Sequence, residues 1–192
     1  SDSVSEDVYR HRDSSAAEIA AETIIEGQQD ALDHAQATVS VRSLTAADVA
    51  EARRDPEPVA TKLGVSVPTL NLILAGQLDT PTCSCADFHT SPFAQAPGEP
   101  CPASFLACLA CPNSVVTPAH LPRLVTLRDA LDNVATIVPE SRWQLSYAEH
   151  YARLTTVLHN NASTAEIAAA RQSATEADRA LVEQLLSRSL DA

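Results

Sequence analysis

The sequence predicts an all-α fold interrupted by one cysteine-rich, metal-binding loop, and three observations predict it. Only four Gly, one Trp, three Tyr and three Phe stand among 192 residues, against abundant Ala and Leu, a balance that favours helix over strand. Apolar residues recur at helical spacing behind Ser, Thr and Asp caps, while no stretch shows the alternation of a strand. All five cysteines, Cys83, Cys85, Cys101, Cys108 and Cys111, fall in one Pro- and Ser-rich stretch without periodicity.

The elements follow in chain order. Ser15 and Glu18 form a capping box for a first helix running to about residue 38 on Ile19, Thr23, Ile24, Ala31 and Ala35, weakened at Gly27. Ser43 or Thr45 caps a short helix through Arg53 and Arg54, and Asp55-Pro56-Glu57-Pro58 ends it and starts the next. Residues 58–76 read as two short helices around Gly64, with Ser66 as cap and Pro68 in the first turn of the second. Beyond the cysteine loop, which has one candidate helical patch at 103–108, Thr117-Pro118 starts a helix. Its apolar face is Leu121, Leu124, Val125, Leu127, Leu131 and Val134, and Pro139 stops it. One further helix is expected to carry Trp143, Tyr147, Tyr151, Leu154 and Leu158. Ser163/Glu166 and Thr175/Asp178 then cap two more. The chain therefore divides into an N-terminal helical region (1–78), a cysteine-rich loop (79–116) and a C-terminal helical region (117–192).

Charge narrows the partners. The formal net charge is −12, and residues 63–111 hold three acidic side chains and no Lys or Arg. Such a chain repels a phosphate backbone, which argues against unaided non-specific nucleic-acid binding. The acidic, Ala-rich first helix is a candidate surface for a protein partner. No apolar run approaches the length of a membrane span and no signal peptide opens the chain, so a cytoplasmic location is expected. The absence of Met fits either a piece of a longer chain or an initiator removed before Ser1.

In a reducing compartment, clustered cysteines bind metal more often than they pair. Cys108 and Cys111, two residues apart, can aim both sulfurs at one ion from a tight turn, with Cys101 just before them and Cys85 on the upstream arm. The expected ligands are Cys85, Cys101, Cys108 and Cys111, with Cys83 and His89 as alternates. Zinc is the expected cofactor and a [4Fe–4S] cluster the alternative, since Pro follows both Cys101 and Cys111. Four protein ligands leave no open position, so the role is structural. The competing reading treats these cysteines as small core residues, and Cys108 does lie among Phe105, Leu106 and Leu109.

Leu78-Asp79-Thr80, Cys85-Ala-Asp87, Ser91-Pro92-Phe93, Ser104-Phe105-Leu106, Cys108-Leu-Ala-Cys111-Pro112-Asn113 and His120-Leu121-Pro122-Arg123-Leu124 stand in that order. Trp143 and the run from His150 to Leu154 follow. This series resembles the cysteine-containing C-terminal region of large tyrosine recombinases (the phage-integrase family) of actinobacterial mobile elements, over residues 78–158. The resemblance implies a non-catalytic zinc-stapled helical domain that gives DNA or protein contacts in site-specific recombination, with DNA reached through a recombinase complex. The family's catalytic Arg…His-x-x-Arg pattern is missing. Tyr9 stands where a nucleophile could fall but lacks those partners, so no catalytic residue is expected.

Two other readings stay open. Ala60, Gly64, Leu70 and Ile73 match a helix-turn-helix pattern, which would make the chain a DNA-binding regulator with structural zinc. The outward face of its second helix offers Thr69, Asn71 and Gln77 and no basic residue, which favours a structural trihelical unit. An iron–sulfur or redox sensor would use Cys83 as a switch thiol. His120 and Arg123 are candidates either for phosphate contact at a helix start or for supporting the metal loop.

Overall fold

A computed structural model describes residues 41–94, 96 and 98–190 of the chain. The expected first helix and Tyr9 lie outside the described residues. Eight α-helices and three very short strands make up the described part: β1 (Arg42–Ser43), α1 (Ala46–Ala52), α2 (Pro56–Leu63), α3 (Val67–Leu74), β2 (Ser84–Cys85), β3 (Ser114–Val116), α4 (Leu121–Ile137), α5 (Glu140–Ser146), α6 (Ala148–Asn161), α7 (Thr164–Ser173) and α8 (Glu176–Leu190). The all-α expectation is corrected by the strands. They form one sheet in the order β1-β3-β2, with β3 parallel to β1 and antiparallel to β2.

Local chemistry accounts for the helix ends. Thr45 caps α1 in a reciprocal box with Asp48. Asp55 caps α2 with Pro56 as its first residue, and Ser66 caps α3. Lys62 of α2 reaches Asp48 of α1 at 2.6 Å, and that bond is the largest of the influences holding the Asp48 carboxyl at about 2. Between α2 and α3 the chain turns on Gly64 at φ 65°, with the Gly64 N–H bonded back to Ala60 and Thr61. A Cβ added at Gly64 would meet nothing within 4 Å, so Gly64→Ala tests the backbone alone. The expected loss is about 1 kcal/mol in urea denaturation, without change in the slope of the transition.

Downstream, the expected helix at Thr117-Pro118 begins as a 3-10 turn, Pro118–His120, and becomes α-helical at Leu121. The expected single helix through Trp143 and Leu158 is two helices, broken at Tyr147 (φ −132°, ψ −32°). The break turns Tyr147 into the core, where it stacks on Trp143 at 6.0 Å, while α5 itself buries no residue. Trp143 also meets Tyr151 edge-on at 5.6 Å, so this group builds core, as the sequence implies. Ser163/Glu166 and Thr175/Asp178 both close the expected capping boxes.

Two hydrophobic cores result. Leu44, Ala52, Val59, Ala60, Leu63, Leu70 and Ile73 form the first, between α1, α2 and α3. The second gathers Leu121, Leu124, Leu127, Leu131, Leu154, Leu158 and their neighbours from α4 to α8. β3 divides them. Successive residues of a strand point to opposite faces, so Val115 enters the first core and Val116 the second. The strands are too short to add much hydrogen bonding, but they hold the two cores in register. Among the described residues no helix is long and apolar enough to cross a membrane.

Candidate metal centre

The cysteine loop has little regular structure: β2, a 3-10 turn at Ala107–Ala110 in place of the expected patch at 103–108, and β3. Its shape comes from side chains that bond to backbone. Thr80 donates its hydroxyl to the Cys83 carbonyl at 2.8 Å and accepts the Cys83 N–H at 3.3 Å. Asn113 donates its amide to the carbonyls of Asp87 (2.8 Å) and Thr90 (3.1 Å), folding the 87–90 segment over the turn after Cys111. Ser114 donates to the Cys108 carbonyl at 2.6 Å and closes the Cys108–Cys111 turn.

This frame brings Cys85, Cys101, Cys108 and Cys111 to one cavity of about 310 Å³, walled by Phe88, Phe93 and Phe105. They come from three separate pieces of chain: β2, the segment before the 3-10 turn, and the turn itself. All four sulfurs accept a hydrogen bond from outside the cysteine set, Cys108 from the Thr80 hydroxyl. Cys85 accepts the Asp87 N–H, Cys111 the Asn113 N–H, and Cys101 the Ser91 hydroxyl at 2.9 Å. Both backbone donors lie two residues beyond their cysteine, so the same local turn aims the sulfur and supplies its hydrogen bond.

Cys83 is fully buried in the second core and bonds to the Cys108 thiol. Because one proton serves both sulfurs, that bond lowers Cys83 and raises Cys108. His89 is exposed, faces the Gly98 carbonyl at 3.2 Å and does not line the cavity.

Burial pushes the Cys85 and Cys111 thiols up, against their backbone donors, and neighbouring thiols add to the rise. No Lys or Arg occurs anywhere in residues 63–111. Four thiolates in an apolar pocket therefore need a cation of their own, and loading it must release protons. Among the described residues, however, no three His, Cys, Asp or Glu side chains are gathered closely enough to hold a metal ion. The four cysteines line a space without converging on a point.

His120 and Arg123 belong to the frame, in line with the second of their two readings, support of the loop, and not with phosphate contact. His120 is buried; its Nδ1 accepts the Thr117 N–H at 3.0 Å, leaving the proton on Nε2, 3.2 Å from Asp79 Oδ1. Asp79 also accepts from Ser84 at 2.6 Å, so His120 ties the start of α4 to both arms of the loop mouth. Arg123 spans the Pro81 carbonyl (3.3 Å) and Asp178 of α8 (3.1 Å). Arg128 pairs with Asp129 and Arg153 with Glu149, as ordinary ion pairs.

Burial lowers the pKa of His120, and Asp79 offsets this in part while Arg123 adds to it. His150 is lowered in the same way. Unfolded histidines titrate near about 6.5, so just below that pH the unfolded chain binds the extra protons. Stability then rises with pH through this window and falls as pH drops below about 6.5. The low carboxylates, Asp48, Asp129 and Asp178, lose their contribution only below about 4. A melting temperature that falls between about pH 7 and about pH 5.5, with part of the slope lost in His120→Gln, is the expected result.

The fold and site define a mostly helical protein in which a thiol-lined cavity lies beside the sheet between two cores. No family model, curated protein or solved structure matches the chain.

Proposed function

We propose that the chain is a non-catalytic helical domain, stapled by a thiolate-bound metal group, that gives DNA or protein contacts in site-specific recombination. The observation that carries the staple is the meeting of four cysteines, from three separate pieces of chain, around one cavity. β2 and β3, which flank that cavity, also pair with each other and join the two cores. A metal group held there would fix the loop and both cores together. The placement in recombination rests on the sequence resemblance. Asp79, Thr80, Ser91, Asn113, His120 and Arg123 belong to its characteristic runs and also frame the cavity. That coincidence supports a shared loop architecture and leaves chemistry to another part of such a protein.

The helix-turn-helix geometry of α2 and α3 is present, with Gly64 at the turn. Asn71 and Gln77 are exposed and Lys62 is drawn to Asp48, so the unit presents little positive charge where a reading helix would need it. Gel shift of the full chain, alone and with the catalytic region of such a recombinase on its recombination-site DNA, tests the proposal. The chain alone should not shift the DNA at physiological salt, and its addition should slow dissociation of the recombinase complex. Tight binding of a defined operator by the chain alone would make it a regulator instead.

A further inference from the structure

Resting on the metal-staple reading, we propose that the group held by Cys85, Cys101, Cys108 and Cys111 is a [4Fe–4S] cluster and not a single zinc ion. A single zinc requires its sulfurs to meet about 2.3 Å from one centre. The described residues provide no such convergence of three ligands. They provide instead a cavity of about 310 Å³ with each of the four cysteines on its wall. A cubane cluster takes one thiolate at each of its four irons, so its protein sulfurs stand apart around an enclosed volume.

The wall fits the same group. Phe88, Phe93 and Phe105 line the space; Phe88 and Phe93 are themselves exposed, so the apolar wall shields a cluster from water on part of its surface. Each of the four sulfurs also has a hydrogen-bond donor: the Asp87 N–H, the Ser91 hydroxyl, the Asn113 N–H and, for Cys108, the Thr80 hydroxyl. Hydrogen bonds to the sulfurs are among the features that set a cluster's reduction potential. Cys83 lies outside the ligand set: it is the buried residue that accepts the Cys108 thiol proton here, placed beside one ligand to tune the centre without binding iron. Pro112 directly after Cys111, the last cysteine, matches the Cys-Pro ending of bacterial cluster-binding runs.

The test is iron, acid-labile sulfide and zinc analysis of the full 192-residue chain, made with iron supplied, purified without oxygen and reconstituted with ferrous iron and sulfide. The expected product is brown, carries about four iron and four sulfide per chain, and loses its visible absorption on reduction with dithionite. Cys85→Ser, Cys101→Ser, Cys108→Ser and Cys111→Ser should each lower bound iron severalfold. Cys83→Ser should keep the iron and move the reduction potential. The unaltered chain decides the matter even if a variant fails to fold. A colourless chain with about one zinc on the same four cysteines overturns the cluster and leaves the staple standing. Iron without sulfide also overturns the cluster. Loss of iron in Cys83→Ser overturns the four-ligand assignment, and a chain that takes up neither metal overturns staple and cluster together.

Discussion

Cys111→Ser is expected to destabilise the metal-loaded chain by on the order of 5 kcal/mol, a large part of the total stability of a domain this size. The substitution is nearly isosteric, so little of that loss comes from packing. It comes from the loop. Residues 79–113 contribute few apolar side chains to either core and are shaped mainly by single side chain-to-backbone bonds, each worth about 1 kcal/mol. Such a segment cannot offset its own conformational entropy without a further constraint, and a bound metal group supplies one. Thermal denaturation with and without a chelator gives the check. The unaltered chain should lose stability on chelation, whereas Cys111→Ser should start low and not respond. Equal stability of the two proteins, each insensitive to chelator, would mean that the cysteines are only small core residues.

Leu131→Ala and Leu70→Ala carry the second large expectation, about 2–5 kcal/mol each. Both leucines are fully buried, Leu131 on α4 in the second core and Leu70 on α3 in the first. Each truncation leaves a cavity that its neighbours fill only in part. Because β3 separates the two cores, the residues share no packing partner. The double variant should therefore equal the sum of the single losses to within about 0.5 kcal/mol. Urea denaturation of the four proteins measures it. A large non-additive term would mean that the two leucines share packing partners across β3.

Much of the helical part was legible in the sequence because its signals are local. The cap at Thr45, one of two candidates, the boxes at Ser163 and Thr175, the Asp55-Pro56 start and Gly64 each involve residues within a few positions of one another, and each forms. The sheet was not legible, since strands of two or three residues are too short to show alternation. Ser114, Val115 and Val116 are all buried, which erases even the polar half of the pattern. The break at Tyr147 was hidden for a related reason: both halves keep helical spacing, and no Gly or Pro marks the turn.

At the site, clustering pointed to Cys85, Cys101, Cys108 and Cys111, the four that line the cavity. His120 and Arg123 were candidates for supporting the loop, but the partners that make the frame were not legible. His120 meets Asp79 across 41 positions, and Asn113 reaches back 26 positions to Asp87. Contacts over such separations have no periodic signature. The position of Cys83 behind Cys108 was missed as well, because its nearness to Cys85 in sequence says nothing about a partner 25 residues on. The one available hint was the occurrence of Asp79, Thr80, Asn113, His120 and Arg123 within the runs that resemble the recombinase region.

A metal group at the cysteine cavity, as proposed, would hold the loop and both cores together. Amide hydrogen exchange of Leu44, Cys85 and Ala86, measured on the metal-loaded and metal-free chain, tests it most directly. These N–H groups bond to Val116, Leu78 and Asn113 across the joints that the staple is meant to secure. Strong protection is expected when loaded and a loss of at least about 100-fold on metal removal, with the core amides of α4 changing far less. Equal protection in both states would contradict it.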